Sequence, residues 1–240
     1  MYYELIGNNE ENTMVFLHGW GADSSIFRGV ISLLPKQKWR YLVIDFNGFG
    51  KSSEPEEPYG VGDYANEVVD LLKELGIKSA VFVGHSFGGR VAIKLASIYH
   101  SCVKKLVLVD SAGIILNRGL IYKFKVWKYK TKKKLIEKGF INGDLSKMGS
   151  LDYRNLKTEI MRKTFINVVN EDLLGDAKMI KAPTFIVWGA ADKDTPIQMA
   201  KKFHKAIVGA KLFIIQGAGH YCFLDKTEDF VYILYDNIFI

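Results

Sequence analysis

Ser86 stands in Gly84-His85-Ser86-Phe87-Gly88-Gly89, between the apolar run 79–83 and the helix-like stretch 90–98. A serine at a sharp strand-to-helix turn is pushed clear of the sheet. The flanking glycines leave room for the backbone, and free N–H groups at the helix start favour a developing negative charge. The chemistry this predicts is nucleophilic attack. A serine hydroxyl is a poor nucleophile at neutral pH, so it needs a base to take its proton and an acid to orient that base. Of the five histidines, His220 follows the last apolar run on the glycine-rich loop 216–220 and is the expected base. His18 and His85 lie in tight glycine-flanked turns, where they would tie neighbouring loops together, and His100 and His204 are expected to face solvent. Asp192, on the loop after the run 184–188, is the expected orienting carboxylate. Asp194 is its rival, and Asp110 is a weaker one that reads as structural. Acyl transfer also needs donors for the oxyanion; the backbone N–H groups of Phe87 and of Trp20, in His18-Gly19-Trp20-Gly21, are in place to supply them.

Positioning these residues on one edge requires alternating strands and helices. Short continuous runs rich in β-branched residues recur at 13–17, 41–44, 80–83, 106–109, 184–188 and 211–215, as expected for strands covered on both faces. Apolar residues at helical spacing follow them: Val68, Leu71, Leu72 and Leu75; then Val91, Leu95 and Ile98; then Ala200, Phe203 and Ile207. The alternation predicts an α/β fold with a mostly parallel central sheet and helices on both faces, its ligands bound at the carboxyl ends of the strands. It lapses between Gly113 and Ala182. The expected organisation is a core of residues 1–113 and 176–240 with a basic helical cap, 114–175, inserted over the edge that carries Ser86.

Charge separates these two parts. The 240-residue chain carries a formal +7, yet residues 114–175 hold 14 Lys and Arg against 6 Asp and Glu, which leaves the remainder nearly neutral. A positive entrance would draw in anionic substrates or an acidic acyl carrier protein. The stretch 122–130 interleaves lysines with aromatics, a composition that also suits nucleic acid or a membrane surface. The preferred reading is a cap helix with Phe124 and Trp127 toward the pocket and lysines toward water, with no nucleic-acid partner. No run is long and apolar enough for a transmembrane segment, and the first dozen residues lack the pattern of a signal peptide, so a cytoplasmic location is expected. Cys102 and Cys222 are expected to be buried free thiols. Neither belongs to a Cys/His cluster, so no metal and no cofactor is expected.

Taken in order, His18 to Gly21, the Asp45-Phe46-Asn47-Gly48-Phe49-Gly50-Lys51-Ser52 turn, the Ser86 pentapeptide, Gly189 to Pro196 and Gly217 to His220 resemble the main motifs of the α/β-hydrolase fold family. The resemblance implies a Ser86–Asp192–His220 triad, a core-shaping role for the Asp45–Ser52 turn and a cap after the sixth family strand. Two departures stand out: one leading strand, 2–6, in place of the usual hairpin, and threonine at 227 where proline is frequent, which puts that helix start in question. Serine at the elbow argues against the dehalogenase and epoxide hydrolase branches, which use aspartate. The His-Gly-Trp-Gly motif and compact capped layout are similar to the carboxylesterases acting on pimeloyl-acyl-carrier-protein methyl ester. The implied activity is hydrolysis of a small-molecule carboxylic ester. A C–C hydrolase, thioesterase or lyase with the same triad, or a ligand sensor on the same fold, are the alternatives.

Overall fold

The structure, a computed structural model, describes residues 1–7, 12–116, 128, 131–132, 134–136, 140–142 and 150–239. Among the described residues seven strands form one sheet: β1 (Tyr2–Ile6), β2 (Asn12–Leu17), β3 (Trp39–Asp45), β4 (Ala80–His85), β5 (Val103–Val109), β6 (Thr184–Gly189) and β7 (Lys211–Ile215), in the order β1-β3-β2-β4-β5-β6-β7. Only β1 is antiparallel, lying against β3; every other pairing is parallel. Each apolar run of the sequence is a strand, and the single leading strand is as expected.

The period of two along each strand splits the core into two layers. Val15 and Leu17 of β2 face a cluster built with α2 (Val61–Glu74), α3 (Phe87–Ile98) and α7 (Ile197–Ala206). Met14 and Phe16 face the opposite cluster, closed by α1 (Arg28–Ser32), α8 (Cys222–Asp225) and α9 (Thr227–Ile238). With both faces covered, β4 is buried at every position, and its end can hold a side chain in a fixed place. Between β5 and β6 the described residues include α4 (Leu151–Asn155), α5 (Glu159–Asn170) and α6 (Leu174–Met179).

Local chemistry moves some boundaries. Helix α2 starts at Val61, earlier than its apolar spacing indicated, because the Asp63 carboxylate accepts the Gly60 N–H at 2.7 Å. Helix α9 starts at Thr227 without a proline, the Lys226 carbonyl accepting the Phe230 N–H. Two expectations are corrected. His100 is half-buried, its Nδ1 2.9 Å from the Ala96 carbonyl that the helix end leaves open, whereas His204 is exposed as expected. Cys102 is half-buried in the turn before β5; Cys222 is buried, and both thiols are free. No helix among the described residues is long and apolar enough to cross a membrane.

Candidate active site

The end of β4 is where the chain is most constrained. Ser86 adopts φ 51°, ψ −109°, a region few residues other than glycine occupy. Its N–H donates to the Val109 carbonyl of β5 and its own carbonyl accepts from Ala112, so the flanking backbone enforces the turn. Helix α3 then passes so close to β2 that a Cβ on Gly88 would lie 2.0 Å from the Leu17 carbonyl oxygen. Only glycine permits that approach, despite a cost of about 1 kcal/mol in a helix.

The three predicted triad residues meet here. The Ser86 hydroxyl donates to His220 Nε2 at 3.0 Å, and His220 Nδ1–H donates to Asp192 Oδ2 at 2.9 Å. The Asp192 side chain is fully buried, while that of His220 is 13% exposed. Asp192 Oδ1 accepts the N–H groups of Asp194 and Thr195, and the Thr195 hydroxyl lies 2.6 Å from Oδ2. Asp194 itself is exposed and contributes a backbone N–H to this arrangement. Burial pushes the Asp192 carboxyl up, but the bonds from His220 and Thr195 outweigh it and hold the group below the usual carboxylate range. Burial likewise pulls the His220 imidazole down, and the bond and charge of Asp192, with Asp110 and Asp194 adding, raise it above its ordinary 6.5.

The other histidines tie loops. His85 Nε2–H donates to the His220 carbonyl at 2.8 Å, fixing the backbone of His220. Complete burial, reinforced by His220, pushes its pKa down to about 3, so it stays neutral. The Phe46 N–H donates to His18 Nε2 at 3.1 Å. Asp45 accepts from the N–H groups of Ser24 and Lys51, which closes the turn the sequence marked as core-shaping.

The loop after β2 folds against the same edge. A Cβ on Gly19 would lie 2.9 Å from His85 Nδ1 and 3.4 Å from the Ser86 Cβ, so glycine is what lets Trp20 follow so near the serine. The backbone N–H groups of Trp20 and Phe87 make none of the loop and turn backbone hydrogen bonds among the described residues. The Trp20 ring packs edge-on against Phe49, Phe87 and Phe165, at 4.8, 5.3 and 5.1 Å between centroids. Phe165 and Tyr153, on α5 and α4, therefore form an aromatic wall beside the loop. Their signal in the sequence was the inward face of α5, Met161, Phe165 and Val168, at helical spacing. Phe124 and Trp127, the residues expected to line the pocket, lie outside the described residues.

Ligand atoms of Asp192, Asp194 and His220 fall within 4.8 Å of one another. Within this group His220 Nδ1 and Asp192 Oδ2 are joined by a hydrogen bond, an arrangement that suits proton transfer.

The family model described as alpha/beta hydrolase fold matches residues 12–155. The chain belongs to this family. An esterase from Exiguobacterium antarcticum superposes with a TM-score of 0.77 at 26% identity, covering 98% of this chain and 94% of that one. The AB hydrolase superfamily protein YisY of Bacillus subtilis is 25% identical, over 95% of this chain and 91% of its own length. A 2-hydroxy-6-oxo-6-(2'-aminophenyl)hexa-2,4-dienoic acid hydrolase of Metapseudomonas resinovorans is 28% identical, over 90% and 80%. The α/β-hydrolase assignment thus agrees with the sheet order, the elbow at Ser86 and the motifs of the sequence.

Proposed function

We propose that this protein is a serine hydrolase of carboxylic esters that works through an acyl-enzyme. The observation that carries the reading is the unbroken chain from the Ser86 hydroxyl through His220 to buried Asp192, set at a strained strand-to-helix turn. Ser86 Oγ attacks the acyl carbon while its proton passes to His220 Nε2, and the oxyanion is held by the N–H groups of Trp20 and Phe87. Collapse expels the alcohol, which takes the proton from His220. Water, activated by the same imidazole, then releases the acid and restores the serine. Residues 114–175 act as a cap for the core of 1–113 and 176–240, and the enzyme works in the cytoplasm.

The relative that hydrolyses a dienoic acid supports a second reading, cleavage of a carbon–carbon bond by the same residues. A substrate panel separates the two. We expect p-nitrophenyl esters to be turned over with a chain-length optimum and the dienoic acid to be left intact; the reverse pattern reassigns the reaction. Because His220 must be neutral to accept the proton and its pKa is raised, kcat/KM should fall as pH drops, with a midpoint above 6.5. A pH–rate profile that stays flat down to pH 5 removes His220 as the base.

The basic cap supports an anionic or carrier-bound acyl substrate. Exposed charges act on encounter and are screened beyond about 8 Å at physiological salt. Raising salt should lower kcat/KM for an acidic ester and leave a small neutral ester nearly unchanged. Changing Lys130, Lys132, Lys133 and Lys134 to glutamine should mimic that loss at low salt. Lys132 and Lys134 are exposed, and the other two lie outside the described residues. Equal salt dependence for both substrates removes the electrostatic role.

A further inference from the structure

Asp110 lies at the end of β5, wholly buried, with φ 42°. A non-glycine residue in that region is strained, and such strain persists only where surrounding structure imposes it. Every polar group of Asp110 is engaged. Its N–H donates to the Val187 carbonyl, and its own carbonyl lies 2.9 Å from the Thr195 hydroxyl. Oδ1 accepts the Gly189 N–H at 2.8 Å and Oδ2 accepts the Cys222 N–H at 3.1 Å. Gly189 opens the loop that carries Asp192; Cys222 follows the loop that carries His220. The two loops also bond directly, Ala190 N–H to the Ile215 carbonyl and Ala191 N–H to that of Ala218.

We propose that Asp110 is a positioning residue whose single carboxylate fixes the loop of the acid and the loop of the base relative to one another. This rests on the serine hydrolase reading of the site. Two N–H donors converging on one side chain require two acceptor atoms and no donor, which only an ionised carboxylate supplies at this size. An amide in its place would turn an NH2 toward one of the two N–H groups.

The charge also bears on the base. The titratable groups around Asp110 are Asp192, His220 and the Cys222 thiol. Burial outweighs the bond from the Cys222 thiol and the two backbone bonds and lifts its carboxyl to about 7. That cost is carried where the negative charge helps hold a proton on His220.

The test compares wild type with Asp110→Asn in two ways. The His220 ring is titrated by NMR, and the rate of Ser86 labelling by a fluorophosphonate is measured at pH 8. The variant should melt cooperatively, its His220 midpoint should move to lower pH, and labelling should slow by about 10²-fold, the effect of a misplacement near 1 Å. A merely structural role would slow labelling and leave the midpoint in place. A folded variant with an unchanged midpoint and a labelling rate near wild type overturns the proposal while leaving the ester reading intact. A wild type that never labels, with a midpoint that still moves in the variant, has the opposite meaning. If the variant does not fold, amide exchange in the wild type decides. Protection of the Gly189 and Cys222 N–H groups, corrected for intrinsic rate, should change with one common midpoint near pH 7; separate midpoints, or no change, overturn the clamp.

Discussion

Changing Ser86 to alanine is expected to lower ester turnover by roughly 10⁶-fold, the scale on which serine hydrolases lose rate without their nucleophile. The loss is large because the alternative, direct attack by water, has no group placed against the acyl carbon. A residual rate of roughly 10³-fold over the uncatalysed reaction should remain, since the Trp20 and Phe87 N–H groups would still bind the oxyanion. The backbone turn is enforced by the Val109 carbonyl and the Ala112 N–H, so the variant should fold, and an unchanged melting temperature is the control. Turnover within tenfold of wild type would mean that Ser86 does no covalent chemistry.

Asp192→Asn should cost about 10⁴-fold in kcat, against less than tenfold for Asp194→Asn. The two aspartates are neighbours in sequence with different surroundings. Asp192 is buried and accepts the His220 Nδ1–H; Asp194 is exposed, and what it gives the triad is a backbone N–H that asparagine retains. An asparagine at 192 no longer holds the ring in one tautomer or balances the imidazolium. The sign of the accompanying pH effect is fixed as well. Asp192 is the chief group raising the His220 pKa, so its loss should move the acid limb of any surviving activity to lower pH. A dead Asp194→Asn enzyme beside an active Asp192→Asn would exchange their roles.

Much of this was legible in the chain. The strands announce themselves because both faces of the sheet are covered, which leaves continuous apolar runs such as Met14–Leu17 and Val81–Val83. The hydrogen-bonded arrangement of Ser86, His220 and Asp192 was legible because each residue lies just past a strand, where a parallel sheet collects its loops. Asp110 was read as structural, and what escaped that reading was its partnership: it holds Gly189 and Cys222, 79 and 112 residues away, through backbone N–H groups that no side-chain pattern encodes. Thr195 was missed for the same reason. Its hydroxyl matters only because a tight turn brings it to Asp192 and to the Asp110 carbonyl. The aromatic wall has no distinctive pattern in the chain, because Phe165 lies on a helix with an ordinary apolar face. His100 was placed in solvent because helix spacing says nothing about the open carbonyl that the end of α3 offers it.

The most direct test of the central claim is fluorophosphonate labelling of the intact protein, read by mass spectrometry as a function of pH. One adduct per chain is expected, mapped to the peptide containing Ser86, with a rate that rises with the deprotonation of His220 and ester hydrolysis that disappears in step. No adduct, an adduct on another residue, or full hydrolysis after Ser86 is blocked would contradict it.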